Sequence, residues 1–246
     1  MHHAPKTSRP KTAIITGASS GIGLAITQAL LGQGYRVVAN SRSISKSKIL
    51  QNSEQLVLVD GDIGSADVAT KIVRTAVEKF GSIDLLVNNA GRFIARRFTD
   101  YTAEDFESML STNLAGFFHV SRQTVVQMRQ QKHGHIVNVT AALVSQPDAS
   151  VAAALASLTK GGLQAVSKAL AIEYAGEGIR FNAIAPGVVD TALHANDDHE
   201  FMKSLNPMHR LAHVSEIADA LTYLEAATFV TGEVIHVDGG THAGRW

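Results

Sequence analysis

The sequence has no cysteine among its 246 residues. That absence removes disulfides, thiolate metal ligands and a cysteine nucleophile together, and it fits a reducing compartment, so a cytoplasmic location is expected. An excess of charge of one sign is also lacking, since 22 Lys and Arg balance 22 Asp and Glu. Phosphate-backbone binding needs a clustered basic excess, so no nucleic-acid partner is expected and a small-molecule substrate is. No stretch reaches the ~18 consecutive apolar residues of a membrane helix. The most apolar one, residues 151–174, is broken by Lys160, Lys168 and Glu173, and no membrane partner is expected. The opening MHHAPKTSRP has no apolar core and reads as a flexible arm over residues 1–10, neither a secretory signal nor an anchor. Tyrosine is scarce too, with four in the chain: Tyr35, Tyr101, Tyr174 and Tyr223.

What is present is an alternation of short β-branched runs with longer segments of helical period. Strands are expected at residues 12–16, 36–40, 56–60, 83–88, 136–140, 180–185 and 234–237, with helices at 21–33, 66–79, 103–131, 151–174 and 214–224. Runs such as AIIT, LVLV and LLVN are apolar without alternation, as in strands covered on both faces. The expected fold class is α/β: a Rossmann-type, doubly wound parallel sheet of about seven strands with helices on both faces. No linker divides residues 11–246, so one domain is expected, with the polar interruption at 192–210 serving as a substrate lid.

Between the first strand and first helix stands Thr16-Gly17-Ala18-Ser19-Ser20-Gly21-Ile22-Gly23. Glycines let backbone turn tightly and approach a pyrophosphate, and the following helix N-terminus favours the anion. Ser19 and Ser20 add hydroxyl donors, and nucleotide binding is the expectation.

This G-x-x-x-G-x-G spacing, with Asn88-Asn89-Ala90-Gly91 after the fourth strand, Pro186-Gly187 after the sixth and Val237-Asp238-Gly239-Gly240 near the end, resembles the short-chain dehydrogenase/reductase family. The resemblance runs from Lys11 to Gly240. It implies cofactor contacts from Gly17, Ser19, Ser20, Gly21, Ile22 and Gly23, from Asp62 and Ile63 at the adenine, from Asn88, Asn89, Ala90 and Gly91 at the ribose and central sheet, and from Pro186, Gly187, Val189 and Thr191 at the nicotinamide carboxamide. The second strand ends in Ser41-Arg42, where an NAD enzyme of this fold carries an acid for the ribose 2′-hydroxyl. Arg42 offers a planar fork to a 2′-phosphate, so NADP(H) is expected over NAD(H), with an ordinary solvated arginine as the alternative.

The family reduces carbonyls with a Ser, a Tyr, a Lys and an Asn. Asn113 matches the Asn, and Lys160 matches the Lys that holds the ribose hydroxyls and lowers the phenol pKa. One helical turn before Lys160, where the tyrosine should stand, there is Ala156, and at the serine position there is Ala141, preceded by Thr140. The stretch between them is slightly longer than the family's, which could bring Thr140 or Ser145 nearer the site. Three readings stay open. The first is an NADP(H)-dependent oxidoreductase with a non-standard acid, His194 or His199 from the lid, acting on a carbonyl, iminium, quinone or enone. The second is an NADP(H)-binding pseudoenzyme acting as sensor or structural subunit. The third, least supported, is metal-assisted chemistry by His194, His199, His209, His213, Asp197 and Asp198, with His209 and His213 sharing a helix face; no resident metal is expected. The family often forms tetramers, and small residues such as Ala152, Ala153 and Ala156 would let helices approach closely, so a homo-oligomer, tetramer or dimer, is expected. The C-terminal residues 241–246 could reach a neighbouring subunit.

Overall fold

In the computed structural model of the chain, which describes residues 9–195 and 197–244, the first strand, β1 (Thr12–Thr16), is buried at every position. A strand is apolar on both faces only when both are covered. Ile14 packs with Ile72, Met128 and Phe181 on one face, and Ile15 with Ile26, Leu30 and Leu221 on the other. The strands β2 (Arg36–Ser41), β3 (Leu56–Asp60), β4 (Leu85–Asn88), β5 (Gly134–Val139), β6 (Ile179–Pro186) and β7 (Val234–Val237) complete a parallel seven-stranded sheet ordered β3-β2-β1-β4-β5-β6-β7. The helices are α1 (Gly21–Gly32), α2 (Ala66–Phe80), α3 (Ala103–Met109), α4 (Gly116–Gln131), α5 (Ala154–Tyr174), α6 (His199–Ser204) and α7 (Val214–Ala226). Apolar residues of α1 and α7 cover the Ile15 face, and those of α2, α4 and α5 cover the Ile14 face. The strand order reverses between β1 and β4, which opens a crevice beyond their carboxyl ends. The fold is the expected single doubly wound domain.

Two helices differ from the expectation. The single helix at 103–131 is interrupted by a π-helical turn, Leu110–Ala115, between α3 and α4. The wider turn carries Asn113 inward, where its amide donates to Arg92 O and Thr159 Oγ1 and accepts from Arg92 N. Helix α5 begins at Ala154 rather than 151, because Ala152 O accepts from Arg96 N and Asp148 captures Ser150 through backbone and hydroxyl. Ala153 and Ala156 are buried against Met109 and Leu155, not offered to another chain. His209 and His213 share no helix face: His209 sits in a turn at φ 49° and His213 is the N-cap of α7.

Residues 1–8 of the expected arm, Asn196 of the lid, and Arg245 and Trp246 fall outside the described residues. Arg9 is tied down, its guanidinium 2.9 Å from the Asp84 carboxylate. Among the described residues no helix is long and apolar enough to cross a membrane.

At the amino ends of the strands, opposite the crevice, lies a buried polar knot. Glu225 at the end of α7 accepts from the Tyr35 hydroxyl at 2.7 Å and from His135 Nδ1, and pairs with Lys11 at 3.3 Å. His135 Nε2 accepts from Asn182 Nδ2, so the ring is the neutral tautomer with its proton on Nδ1, and burial keeps it neutral. Burial opposes the Glu225 carboxylate, but the hydrogen bonds from the His135 ring and the Tyr35 hydroxyl, together with the Lys11 charge, overcome it and bring its pKa down to about 2.

Candidate active site

The glycine segment after β1 is shaped by contacts that tolerate no side chain. Gly17 takes φ +66°, and a Cβ on Gly23 would lie 2.3 Å from Gly17 O and 2.5 Å from Asn89 Nδ2. Ser20, the N-cap of α1, makes no side-chain cap, and no acidic residue stands in the first turn. The N–H groups that open α1 are therefore free to meet an anion, beside the exposed Ser19 and Ser20. Gly21, at φ +51°, faces Thr191, whose Cγ2 would be 3.2 Å from a Cβ there. The glycine turn and the first residue of the lid thus adjoin.

Asn89 fastens that turn to β4. Its amide donates to Thr16 O and Gly17 O, while its backbone N–H and that of Ala90 donate to Thr16 Oγ1. Asn88 points elsewhere: it is buried and donates to Ser121 and Asn138, whose own amide donates to Ser167. It braces the sheet against α4 and α5 and offers nothing to a ligand. Asp62 is exposed and spends one oxygen on Gly64 N, leaving the other open; Ile63 is buried against Gly116. Arg42 is exposed beyond Ser41 at the edge of the crevice and has no ion-pair partner among the described residues. The nearby acid Asp60 is held by the hydroxyl and backbone of Ser45, which lower its pKa.

Beyond β5 the hydroxyls near the crevice are already committed. Thr140 Oγ1 donates to Ile184 O and accepts from Gln164, which also donates to Ala141 O. Ser145 Oγ meets His236 Nε2 at 2.9 Å and turns away from the cavity. Tyr101, the tyrosine nearest this wall, donates to Ile94 O at 2.7 Å. Ala156 is fully buried, and Phe93, Ile94, Leu143 and Val151 pack on the cluster that contains it. The volume over Ala156 is closed by apolar side chains, while Ala141 lines the open cavity.

Lys160, one turn further along α5, is surrounded by protein at its ammonium end. Nζ donates to Val139 O at 2.8 Å and would lie 2.8 Å from a Cβ on Gly91, so the glycine allows the ammonium its present place. Burial pushes its pKa down to about 8, with no carboxylate to oppose the shift. At neutral pH it is a cation with donor capacity left over.

These residues enclose a cavity of about 700 Å³ at the carboxyl ends of β1, β4, β5 and β6, the size of a small-molecule site. Ile22, Asn89, Gly91, Lys160, Gly187, Val189 and Thr191 line its inner part, and Leu193, His194, Asp197, Phe201 and Met202 of the lid segment line the other wall. Val189 is buried and pairs with Ala212, which closes the lid segment into a loop. A Cβ on Gly187 would meet Asp238 Cα at 2.9 Å, so the backbone after Pro186 lies against the end of β7. His199 is exposed, does not line the cavity, and directs Nε2 to His194 O at 3.3 Å. No cluster of three or more metal-ligating side chains occurs among the described residues. Gln164, which occupies Thr140, was not foreseen, and Asp197, expected only as a candidate metal ligand, instead holds the His194 ring, to which its i,i+3 spacing was the available signal.

Three comparisons bear on this site. A family model described as enoyl-(acyl carrier protein) reductase matches residues 17–242. The granaticin polyketide synthase putative ketoacyl reductase 2 of Streptomyces violaceoruber is 34% identical over 240 residues, covering 94% of this chain and 95% of that protein. Among solved structures, ElxO with NADP bound has a TM-score of 0.89 at 28% identity, covering 96% of this chain and all of that one. A 3-ketoacyl-(acyl-carrier-protein) reductase from Brucella melitensis complexed with NADH has a TM-score of 0.89 at 28% identity, covering 95% and 99%.

Proposed function

The chain belongs to the short-chain dehydrogenase/reductase family, and from that premise we propose that it is an NADP(H)-dependent oxidoreductase that reduces a carbonyl or related electrophile without the family's serine and tyrosine. The observation that carries the proposal is the open start of α1 closed in by glycines, adjoining a cavity with the Lys160 ammonium at its inner end. A cradle that a single Cβ would fill at Gly17, Gly23 or Gly91 fits a dinucleotide lying against backbone. Gly17, Ser19, Ser20, Gly21, Ile22 and Gly23 would hold the phosphates, Asp62 and Ile63 the adenine, Asn89, Ala90 and Gly91 the adenosine ribose, and Pro186, Gly187, Val189 and Thr191 the nicotinamide end.

When bound, the cofactor supplies the hydride. The chain supplies the electrostatics: Lys160 is cationic below about pH 8 and stabilises negative charge developing on substrate oxygen. Asn113 fixes the Arg92 backbone, and with it the wall that Arg92 and Phe93 present to substrate. Ala141 and Ala156 offer no proton, and the apolar closure over Ala156 supports a site rebuilt around that loss rather than one merely truncated.

Arg42 supports NADP(H) as the preferred cofactor, being exposed and unpaired while Asp60 is occupied by Ser45. Arg42→Ala is expected to weaken NADPH binding about tenfold to a hundredfold, the range of one charge-assisted bidentate contact, and to leave NADH binding within about twofold. Fluorescence titration with each cofactor checks it, and equal losses would remove the assignment.

Gly23→Ala is expected to destabilise the fold by ~1–3 kcal/mol through overpacking against Gly17 O. The same change displaces the turn and weakens NADPH binding, and a thermal melt with and without NADPH reads both effects.

A homo-oligomer, dimer or tetramer, is part of the proposal. Helix α4 leaves Phe118 and Val126 exposed, and α5 leaves Leu158 and Ile172 exposed, more apolar surface than isolated helices usually show to water. Sedimentation velocity tests it.

A further inference from the structure

No hydroxyl on the cavity wall is left to replace a missing phenol, each being bonded within the protein or standing where the resemblance puts the cofactor. Thr140 donates to Ile184 O, and Thr241, also on the cavity wall, donates to Leu205 O and Asp238 O. The remaining hydroxyl there, Thr191, stands against Gly21 where the resemblance puts the cofactor. Asp148 is taken up by Ser150. Of the cavity-lining side chains that can pass a proton near neutral pH, Lys160 and His194 are left.

His194 is built differently from a solvated lid histidine. Its side chain is 17% exposed, Nδ1 lies 2.7 Å from Asp197 Oδ2, and both residues line the cavity. Among the described residues Nε2 has no partner. An imidazole held by a carboxylate at Nδ1 and open at Nε2 is oriented for proton transfer through Nε2. Two contacts fix the lid in that arrangement. His194 N donates to Thr191 O at 3.0 Å, and His199 Nε2 lies 3.3 Å from His194 O. Asp198, next to Asp197, is committed to the N-cap of α6 and does not compete for the ring.

We infer that His194 is the catalytic acid of this enzyme, with Asp197 as its positioning residue. The inference rests on the oxidoreductase reading above and names the proton donor that reading leaves open. A bound reduced nicotinamide would supply the hydride to the carbonyl carbon, and the carbonyl π pair would move on to oxygen. That oxygen takes the proton from Nε2 of the His194 imidazolium, which becomes neutral imidazole with its remaining proton on Nδ1 facing Asp197. Solvent at the exposed edge of the lid returns the proton. The other charged groups around the cavity are Lys160 from α5, Arg92 and Arg96 from the segment after β4, and Asp148 from the segment before α5; Arg96 is neutralised by Asp105 at 3.1 Å, and Asp148 is held by Ser150.

The test uses the full-length protein with NADPH and two electrophiles, a ketone and an ortho-quinone, whose reduced oxygen is stabilised by its own ring and demands little acid. His194→Gln and His194→Ala are expected to lower ketone kcat by about 10²–10⁴-fold, the range of a general acid, with a loss for the quinone at least about tenfold smaller. Added imidazole is expected to restore ketone turnover to His194→Ala, which a structural role would not allow. Independently of activity, nitrogen-15 NMR of the histidine rings is expected to show His194 as the Nδ1–H tautomer and Asp197→Ala to move it to Nε2–H. Equal losses on both electrophiles, no imidazole rescue, or a tautomer indifferent to Asp197→Ala would overturn the dyad while leaving the oxidoreductase reading standing. Absence of turnover by the unsubstituted protein on the ketone and the quinone alike would overturn His194 as the acid of carbonyl reduction, and the oxidoreductase reading would fall with it only if imines and enones also failed.

Discussion

Lys160→Ala lowers kcat/KM for NADPH-dependent reduction by about 10²–10⁴-fold, the joint range of an oxyanion donor and a charged catalytic group, and Lys160→Arg recovers only a small part. The reason lies in how the ammonium is held. Val139 O accepts a hydrogen bond from it, Gly91 lies close against it, and no carboxylate among the described residues neutralises it. Arginine brings the charge but not the compact shape of an ammonium. The pH profile carries a second signature. The lysine pKa is lowered to about 8 by burial, so the cation is complete well below pH 8 and disappears as pH rises through it. A component of the kcat/KM profile with a midpoint near 8 on the alkaline side is expected from Lys160, since that ratio reports the free enzyme, and is expected to be lost in Lys160→Ala, where only the need for the His194 proton remains. A component near 8 that persists there would assign it to another group.

Glu225→Ala destabilises the protein by ~3–5 kcal/mol, the cost of removing one member of a buried charged network. For a chain of this size that lowers Tm by roughly 6–20 °C. Three groups lose their partner at once: the buried Tyr35 hydroxyl, the Nδ1 proton of His135 and the Lys11 ammonium. Tyr35 has its pKa raised by burial and then by the Glu225 charge and hydrogen bond, so it stays a neutral donor across the accessible range. The sign of the pH effect follows from the folded pKa of about 2 against the ordinary 4.5. The stabilisation is complete above about pH 4.5 and is lost as pH falls through 2, so the penalty of Glu225→Ala shrinks in acid. Thermal melts of both proteins between neutral pH and pH 3 measure it. Because the knot lies at the opposite end of the strands from the cavity, the folded variant should bind NADPH with unchanged affinity. A coincident loss of binding would mean that the two ends are coupled.

The sheet was legible because its strands are covered on both faces and so carry unbroken apolar runs: β1, β3 and β7 begin and end at the expected residues. The π-helical turn at Leu110–Ala115 was not. One extra residue within a long helix barely disturbs its apolar period, and what demands it is the bonding of Asn113 to a backbone segment distant in the chain. The start of α5 was misplaced for a similar reason, since its preceding residues are apolar enough to continue the helix and are held out of it by Asp148 and Arg96. At the site, the sequence revealed what is lacking at positions 141 and 156, a statement about residue types. It was silent on what surrounds Ala156, because Phe93, Leu143 and Val151 pack on the cluster that contains it from separate loops. His194 and His199 looked equivalent beside the clamp residues. Their difference is one of direction, the first lining the cavity and the second turned onto the first one's carbonyl.

The proposal is that a cofactor cradle of the family's kind serves redox chemistry here with Ala141 and Ala156 at what we propose are the family's serine and tyrosine positions. Steady-state oxidation of NADPH by the purified protein across a panel of ketones, imines, enones and quinones tests it most directly. The account predicts turnover of at least one class, faster with NADPH than with NADH and lost in Lys160→Ala. Tight NADPH binding with no turnover of any class above the uncatalysed rate would contradict it and would make the protein a nucleotide-binding pseudoenzyme.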